Sequence, residues 1–407
     1  MKVSSSLIKL PIELPENAAH FLVVWGLLLA LLLDHGLAYR SLAYINIILV
    51  VYHSIKQGIK LDFLRNRLSN RVVFLLMCPA MFLILHYIAT TQFDFSDELN
   101  QFILVIFTAI GLYIVAYTYK DFVKNNYPAW LSLLVFCFLA VQLVNIFLLK
   151  HLWGTCNNSH YLAINCALLM PVVIFLITRT SNTLHTSFLT ASLVLLTCLI
   201  IYTASRPTWI GLMLASLYVI FFINKRLRLP AFGLLIGIPS LLFTINLGNF
   251  GDKFKELAVH ISTEERNIIW EDAWVMQKTS DIKQWLVGHG LNSYESNFMQ
   301  FSSYHMQNID FGSPHNWVLE ILYMSGLVGL IVFLFIYIYT WRQLMYAVKY
   351  SPEYKAVALM LCAMLIVSMV MGFLTVKVFS HYTVFQLTFV LGLALWLRDN
   401  TFKLMRK

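Results

Sequence analysis

The sequence TSFLTASLVLLTCLIIYTASRPTWIGLMLASLYVIFFI occupies residues 186–223 and carries one charged side chain, Arg206. Two apolar runs, 186–203 and 208–223, flank that arginine. A helix that crosses a bilayer needs roughly 20 apolar residues, because the hydrocarbon core is about 30 Å thick. Inside that core every backbone polar group must be satisfied internally, which favours helices. The stretch therefore predicts two membrane helices joined by only a few residues.

The same pattern continues along the whole chain of 407 residues, of which 59% are hydrophobic and 12% charged. Soluble domains carry about 25% charged residues, so most of this chain faces lipid or other apolar helices. No cleavable secretory signal is expected, because the first apolar run is followed directly by further spans. We predict an all-α polytopic membrane protein of about twelve transmembrane helices, with eleven or thirteen as alternatives. The spans are 18–33, 38–55, 71–90, 101–118, 128–149, 160–178, 186–203, 208–223, 230–247, 317–340, 354–372 and 383–397.

One long polar segment divides these spans. We expect nine helices in residues 1–247, a large loop with the notable polar motifs in 248–316, and three helices with the C-terminus in 317–407. Within the loop, Ser262 and Glu265 match a capping box, and the range Glu264–Lys278 lacks Gly and Pro, so a helix is predicted there. Such a helix could rest on the membrane surface with its aromatic side, Trp270 and Trp274, towards the lipid.

Basic residues fix the predicted orientation of the helices. With the N-terminus inside, 20 of the 29 Lys and Arg residues lie in cytoplasmic segments, as the positive-inside rule requires. Both termini are then cytoplasmic, and the long loop is external, which in a Gram-negative cell is periplasmic. The net charge of +9 is therefore read mainly as a topology signal, and no nucleic-acid partner is expected. The nine external basic residues are Arg40, Lys150, Arg206, Lys253, Lys255, Arg266, Lys278, Lys283 and Lys377.

No metal or cofactor is expected from the sequence. The six cysteines form no CxxC or Cys/His spacing, and the loop contains no DxD, HExxH or clustered carboxylates. The glycines in Gly288-His289-Gly290-Leu291-Asn292-Ser293-Tyr294 do not follow a strand in a βαβ unit, so they do not indicate a nucleotide site.

Three residues on the external side stand out as candidates for chemistry: Arg206, Arg266 and His315. Each also has a structural interpretation. Arg206 could be a snorkelling anchor, Arg266 could form a local ion pair, and His315 could be a structural histidine at the membrane interface. Together they place two planar guanidinium groups, which match phosphate oxygens, near an imidazole that can accept a proton from a hydroxyl. That combination suits displacement of a phosphate-type leaving group by a hydroxyl nucleophile.

These residues lie in motifs that resemble the O-antigen ligases of the O-antigen ligase/polymerase superfamily. The resemblance covers about residues 190–340. The order of these motifs, the twelve predicted spans and the single large predicted periplasmic loop are similar to those of that family. The matching pieces are Ser205-Arg206, Glu265-Arg266 with Trp270, the segment Gly288–Tyr294, Pro314-His315-Asn316, Leu319-Glu320 and Gly326-Leu327-Val328-Gly329-Leu330.

The resemblance implies a metal-independent inverting glycosyltransferase with a GT-C-like membrane fold in the bacterial inner membrane. The donor would be O-antigen polysaccharide on undecaprenyl diphosphate, and the acceptor a sugar hydroxyl of lipid A–core, with membrane lipids around both. His315 matches the proposed general base, and Arg206 and Arg266 match residues that engage the donor diphosphate. Candidates to support the site are Glu265, Asn316, Tyr294 and Lys377.

Two other functions remain open at this stage. An O-antigen polymerase would use the same donor with a second lipid-linked glycan as acceptor, and the chain length favours the ligase. A transporter of lipid-linked glycan is less favoured. Transporters tend to show internal repeats and ionisable residues near the bilayer midplane, whereas this chain gathers its notable polar residues at one face.

Overall fold

A computed structural model describes most of the chain. Within the described residues the secondary structure is helical, without a strand. The described residues are 19–33, 36–56, 67–90, 97–118, 120–156, 158–222, 225–246, 251–252, 265–291, 293–301, 312–378 and 381–405. Ser262 of the predicted capping box lies outside them.

Every predicted span coincides with a helix, and a predicted loop helix is also present. The helices that match the spans are α1 (Ala19–Leu32), α2 (Gly36–Lys56), α3 (Arg67–Thr90), α4 (Asp97–Thr118), α5 (Lys120–Leu143), α6 (Ser159–Ile177), α7 (Thr183–Thr203), α8 (Arg206–Ile220), α9 (Lys225–Thr244), α13 (Trp317–Tyr350), α14 (Lys355–Leu374) and α15 (His381–Met405). Between α9 and α13 lie α10 (Glu265–Lys278), α11 (Ile282–Val287) and α12 (Ser293–Phe301).

Several helices differ in their bounds from the predicted spans; α15, for example, continues past the predicted end at 397 to Met405. The tenth span is predicted at 317–340, but α13 continues to Tyr350. Its last ten residues include the charged residues Arg342 and Lys349. Hydropathy detects only the apolar part of a helix, so it does not reveal where a helix ends beyond that part. The fifth span, 128–149, is α5 followed by a π-helix at Val144–Leu148.

The helices are those of a multi-pass membrane protein. Six described stretches are long and apolar enough to cross a membrane: Val73–Thr90, Asn126–Leu148, Ser159–Ile177, Thr183–Thr203, Trp317–Tyr350 and Lys355–Leu374. Five shorter apolar stretches accompany them: Ala19–Leu32, Ala38–Tyr52, Ile106–Ala116, Arg206–Ile220 and Arg228–Gly237. A total of twelve crossings remains a prediction, as does the three-part division of the chain.

Helix α14 is the centre of the part of the bundle that carries the candidate site. It packs against α6, α8, α13 and α15, and it is apolar around most of its circumference. Small residues allow these close approaches. A methyl group on Gly211 of α8 would lie 3.4 Å from the backbone of Val367, and one on Gly372 would lie 2.1 Å from the ring of Trp317. The start of α13 is thereby brought against the end of α14, and α8 packs closely beside α14.

The loop helices are attached to α13 where the backbone at Gly288 crosses the backbone at Gly326 in close contact, which we call the backbone crossing. Gly288 has φ +82°, and Gly326, which kinks α13, has φ +63°. A methyl group on either glycine would lie 2.3–2.4 Å from the backbone of the other segment. The backbone N–H groups of His289 and Gly290 donate to the carbonyls of Tyr323 and Met324 at 2.9 and 3.0 Å. The Gly326 kink thus frees carbonyls of α13 that the Gly288 segment then satisfies.

Gly326→Ala should therefore destabilise the protein by about 2 kcal/mol or more. The side chain is disfavoured at positive φ, and the new methyl group would meet the backbone at Leu286. Thermal unfolding of the detergent-solubilised protein measures the effect. Gly233→Ala is the matched control, because a methyl group there meets nothing within 4 Å. Equal unfolding temperatures for the two variants would show that the crossing does not need glycine.

Candidate functional site

The segment Gly312–Asn316 holds the candidate histidine in an unusual backbone conformation just before α13. His315 has φ +52°, a region that side chains rarely adopt. Its N–H donates to Ser313 Oγ at 3.2 Å, while the indole N–H of Trp270 donates to the Pro314 carbonyl at 3.0 Å. Asn316 caps α13, accepting from the first backbone N–H groups of that helix. Loop helix, cap and turn together fix the position of His315.

The imidazole of His315 is oriented by the end of α14. Its Nδ1 lies 2.9 Å from the carbonyl oxygen of Thr375, and a carbonyl can only accept, so Nδ1 carries the proton. In the neutral ring, Nε2 is then the basic nitrogen. This is the arrangement in which a histidine can take a proton from a hydroxyl.

The residues after α14 are tied back to α13. Thr375 N–H donates to the Met371 carbonyl at 2.8 Å, closing the helix. Val378 N–H donates to the carboxylate of Glu320 at 3.0 Å, and the Glu320 side chain is 2% exposed. A buried carboxylate is costly unless it is bonded, so this contact fixes the path of residues 375–378 beside the start of α13.

Lys377 lies in that fixed segment and reaches the backbone of Gly312. A methyl group on Gly312 would lie 2.6 Å from Lys377 Nζ and 3.0 Å from a carboxylate oxygen of Glu295. The absence of a side chain at Gly312 therefore makes room for an ammonium group and a carboxylate at the same point. Glu295 belongs to α12, so three separate parts of the chain meet three residues before His315.

Positive charge and burial keep His315 neutral. Burial lowers the pKa of His315 below its ordinary value of 6.5, and the hydrogen bond to Thr375 opposes that shift. The charges of Arg266 and Lys377 lower the pKa of His315 further, since a like charge disfavours protonation. The two cations are thus close enough to act on the ring.

Arg266 is the first of these cations, and α10 positions it. The helix packs through Ile269, Ala273 and Met276, each 2% exposed, against the rest of the protein. The predicted helix at Glu264–Lys278 is confirmed, beginning at Glu265. That the side of this helix with Trp270 and Trp274 faces lipid stays a prediction. The indole N–H of Trp270 bonds to the Pro314 carbonyl, because the loop folds over the start of α13, a contact that helical periodicity does not reveal.

Arg206 begins α8, and only two residues separate it from the end of α7 at Thr203. The tight connection is confirmed: Ala204 has φ +49°, and Ser205 is fully buried. Ser205 Oγ lies 2.9 Å from His160 Nδ1 and accepts a hydrogen bond from Thr208 at 2.9 Å. The guanidinium therefore emerges from a rigid turn.

A second contact relates that turn to His315. Thr208 Oγ1 lies 3.3 Å from the sulfur of Met371, and Met371 is four residues before Thr375, about 6 Å along a helix. The start of α8, which carries Arg206, and His315 thus contact the same end of α14, at residues about one turn apart. The pKa of His315 is shifted by Arg266 and Lys377 rather than by Arg206.

The comparison with known proteins bears on this same region. Residues 191–334 match the family model described as O-antigen ligase. Residues 191–334 are thus similar to O-antigen ligase domains, which supports the O-antigen ligase superfamily. The matched range includes Arg206, Arg266 and His315 and ends before Lys377. No curated protein matches the chain. The domain indicates an enzyme of glycosyl transfer in lipopolysaccharide biosynthesis that uses lipid-linked polysaccharide in a membrane environment.

Other residues of the O-antigen ligase domain have structural contacts. Tyr294 is fully buried, stacks on Phe298 and meets Tyr323 edge-on. Burial, followed by the charge of Glu320, raises the pKa of Tyr294. His289 stacks on Tyr323 at 4.2 Å and lies 2.7 Å from Ser280 Oγ. These contacts pack the domain's loop onto α13. Glu265 begins α10.

Sequence reasoning missed two contributors to the site and gave no role to a third, Glu320, which it named only as part of a motif. Glu295, the carbonyl of Thr375 and the buried carboxylate of Glu320 all take part in holding the residues around His315. Nothing in the sequence marks a particular carbonyl, and Glu295 occurs in an ordinary polar stretch. Among the described residues, no group of three or more His, Cys, Asp or Glu side chains could hold a metal ion.

The charges around His315 give a prediction for its titration. Lys377→Gln should raise the pKa of His315 towards 6.5, because it removes one cation that lowers the pKa. Reaction with diethyl pyrocarbonate requires the neutral ring, so it is lost as pH falls through that pKa. Mass spectrometry of the peptide with His315 should give a midpoint below 6.5 in the wild type and a higher midpoint in the variant.

Lys283→Gln is the matched control for this titration. Lys283 is exposed on α11 and is not among the charges that shift the pKa of His315. The control should therefore keep the wild-type midpoint. A wild-type midpoint at or above 6.5, or a fall in the midpoint of Lys377→Gln, would contradict the described electrostatics.

Proposed function

We propose that this protein is an O-antigen ligase, a metal-independent inverting glycosyltransferase. It moves O-antigen polysaccharide from undecaprenyl diphosphate to a sugar hydroxyl of lipid A–core. The observation that carries the proposal is the oriented, neutral imidazole of His315 beside Arg266 and Lys377, within a region that matches the O-antigen ligase family.

The proposed step is a direct displacement at the anomeric carbon of the donor. Nε2 of His315 takes the proton of the acceptor hydroxyl as its oxygen attacks that carbon. The bond from the carbon to the diphosphate oxygen breaks, and the lipid diphosphate leaves with the bonding electrons. Attack from the opposite side inverts the anomeric centre. A general base of this kind contributes about 10²–10⁴-fold in rate.

The leaving group needs positive charge where its own negative charge develops. Donors held in place before the reaction supply that stabilisation, about 2.7–4 kcal/mol for one donor in measured cases. The charges of Arg266 and Lys377 act on His315, and Arg206 begins α8, whose Thr208 contacts Met371 one turn before Thr375. We assign the diphosphate to these three residues, with Arg206 and Arg266 as the principal ligands and Lys377 as an addition.

The proposed site faces the periplasm. The bias of basic residues puts the segment between α9 and α13 outside. The same topology brings the ends of α7 and α14 and the starts of α8 and α13 to that face. The periplasm has no supply of nucleotide sugars, so the energy of transfer would come from the diphosphate bond of the donor. The protein would therefore be a multi-pass component of the bacterial inner membrane.

His315→Ala should lower transfer by about 10²–10⁴-fold while donor binding remains, because only proton removal is lost. Transfer of polysaccharide by purified protein and retention of radiolabelled donor measure the two effects separately. His151→Ala is the control, since His151 is an exposed histidine outside the site. Near-normal transfer by a well-folded His315→Ala protein would remove His315 from the mechanism.

Replacing arginine by lysine tests how the diphosphate is held. Arg266→Lys and Arg206→Lys keep the charge but lose the planar pair of donors, so each should reduce transfer at least about tenfold. Activity should persist in excess EDTA, because no metal is involved. Lys278→Ala, at the last turn of α10, should behave as the wild type. Full activity of both lysine variants, or dependence on added Mg²⁺, would refute this assignment.

The identity of the acceptor separates a ligase from a polymerase. Right-side-out inner-membrane vesicles that hold the lipid-linked polysaccharide should modify lipid A–core supplied to their outer leaflet, and sealed inverted vesicles should not. Electrophoresis of the lipopolysaccharide measures the product. Growth of the lipid-linked polysaccharide without modification of lipid A–core would indicate a polymerase. Activity restricted to inverted vesicles would overturn the orientation.

A further inference from the structure

A cavity lies at the end of the bundle opposite to His315. It is enclosed by α1, α4, α5, α6, α14 and α15, and it has a volume of about 300 Å³. At α14 it is lined by Tyr354, Val357 and Met360, near the start of that helix, whereas His315 bonds to Thr375 at its end. About 20 residues, or about 30 Å of helix, separate the two places.

The wall of this cavity is apolar and rich in aromatic side chains. Phe21, Trp25 and Trp130 form one side, where Trp130 meets Phe21 edge-on at 4.8 Å and Trp25 at 5.7 Å. Trp396 lines another side and packs against Tyr354 at 5.5 Å. The volume is at the lower end for ligand pockets, so it suits one apolar chain rather than a large molecule.

The charged residues that line the cavity are of opposite sign, Arg179 and Glu353. Both are exposed residues that also line the cavity, which puts them at its mouth. The guanidinium of Arg179 lies 5.7 Å from the ring of Phe175 and donates to the backbone carbonyl of Glu353 at 3.4 Å. These contacts use one of its five N–H groups. Donors therefore remain for an anion beside the carboxylate of Glu353.

We propose that this cavity binds a zwitterionic phospholipid of the membrane face opposite to the candidate site. One acyl chain would enter the apolar cavity, the phosphate would bind Arg179, and the amine of the headgroup would lie beside Glu353. Charge complementarity supports this occupant: a guanidinium matches phosphate oxygens, and an anionic phospholipid would meet the carboxylate without a compensating amine. The site is separate from glycosyl transfer, so it does not depend on the proposed function.

Lipid retention by the purified full-length protein tests the proposal. Detergent-solubilised protein is titrated with phosphatidylethanolamine or phosphatidylglycerol, and native mass spectrometry counts the bound lipid. The wild type should retain one phosphatidylethanolamine with about tenfold higher affinity than phosphatidylglycerol. Arg179→Gln should weaken binding of both by about tenfold or more, as expected for a lost bond to a charged group.

Two further variants separate the headgroup from the chain. Glu353→Gln should remove the preference for phosphatidylethanolamine, because the amine loses its carboxylate partner. Ala116→Phe, at a buried position in the cavity wall, should abolish retention of both lipids by filling the space. Lys225→Gln, an exposed basic residue of α9 that does not line the cavity, should retain lipid as the wild type does.

Several results would overturn the proposal. These are equal affinity of the wild type for the two lipids, unchanged retention in Arg179→Gln, and preferential retention of a polyprenyl phosphate. If Ala116→Phe does not elute as a single species in size-exclusion chromatography, the two charge variants still decide the matter. Because no glycan transfer is measured, failure here would leave the proposed ligase function untouched.

Discussion

The hydrogen bond from His315 Nδ1 to the carbonyl of Thr375 joins the start of α13 to the end of α14, and the rest of the site depends on that junction. It sets the tautomer, so Nε2 becomes the basic nitrogen. It requires the chain after α14 to follow a defined path, which the buried carboxylate of Glu320 secures through Val378. That path brings Lys377 to Gly312. A backbone contact between two helix ends thereby determines both the base and one of its neighbouring charges.

Burial and positive charge act in the same direction at His315. Both lower its pKa, which keeps the ring neutral and able to accept a proton near neutral pH. The same cations would attract an anionic leaving group, so one electrostatic arrangement serves the two halves of a displacement reaction. The guanidinium of Arg266 and the ammonium group of Lys377 supply this positive charge beside His315. Rigidity matters for such a site, because donors that are already in place need no reorganisation during the reaction.

Hydropathy was sufficient to predict the helices, because each buried or lipid-facing helix needs a long apolar run whatever its partners. The helix Glu265–Lys278 could also be predicted, from the absence of Gly and Pro. The neighbours of these helices could not be predicted. Trp270 bonds to Pro314, and Lys377 meets Gly312 and Glu295, through contacts between segments far apart in sequence. Motif order selected Arg206, Arg266 and His315 as candidates, but only the packing of α8 against α14 relates Arg206 to the other two.

The most direct test of the account is to find where the donor's diphosphate binds. A polyprenyl diphosphate glycan with a photoreactive diazirine beside the diphosphate can be cross-linked to the protein in membranes, and the labelled peptides identified by mass spectrometry. The account predicts cross-links to 205–208, 265–270, 312–317 and 375–378, and their loss when unlabelled donor competes. Cross-links confined to the opposite end of the bundle, or unaffected by competing donor, would contradict the assignment of the diphosphate to the residues around His315.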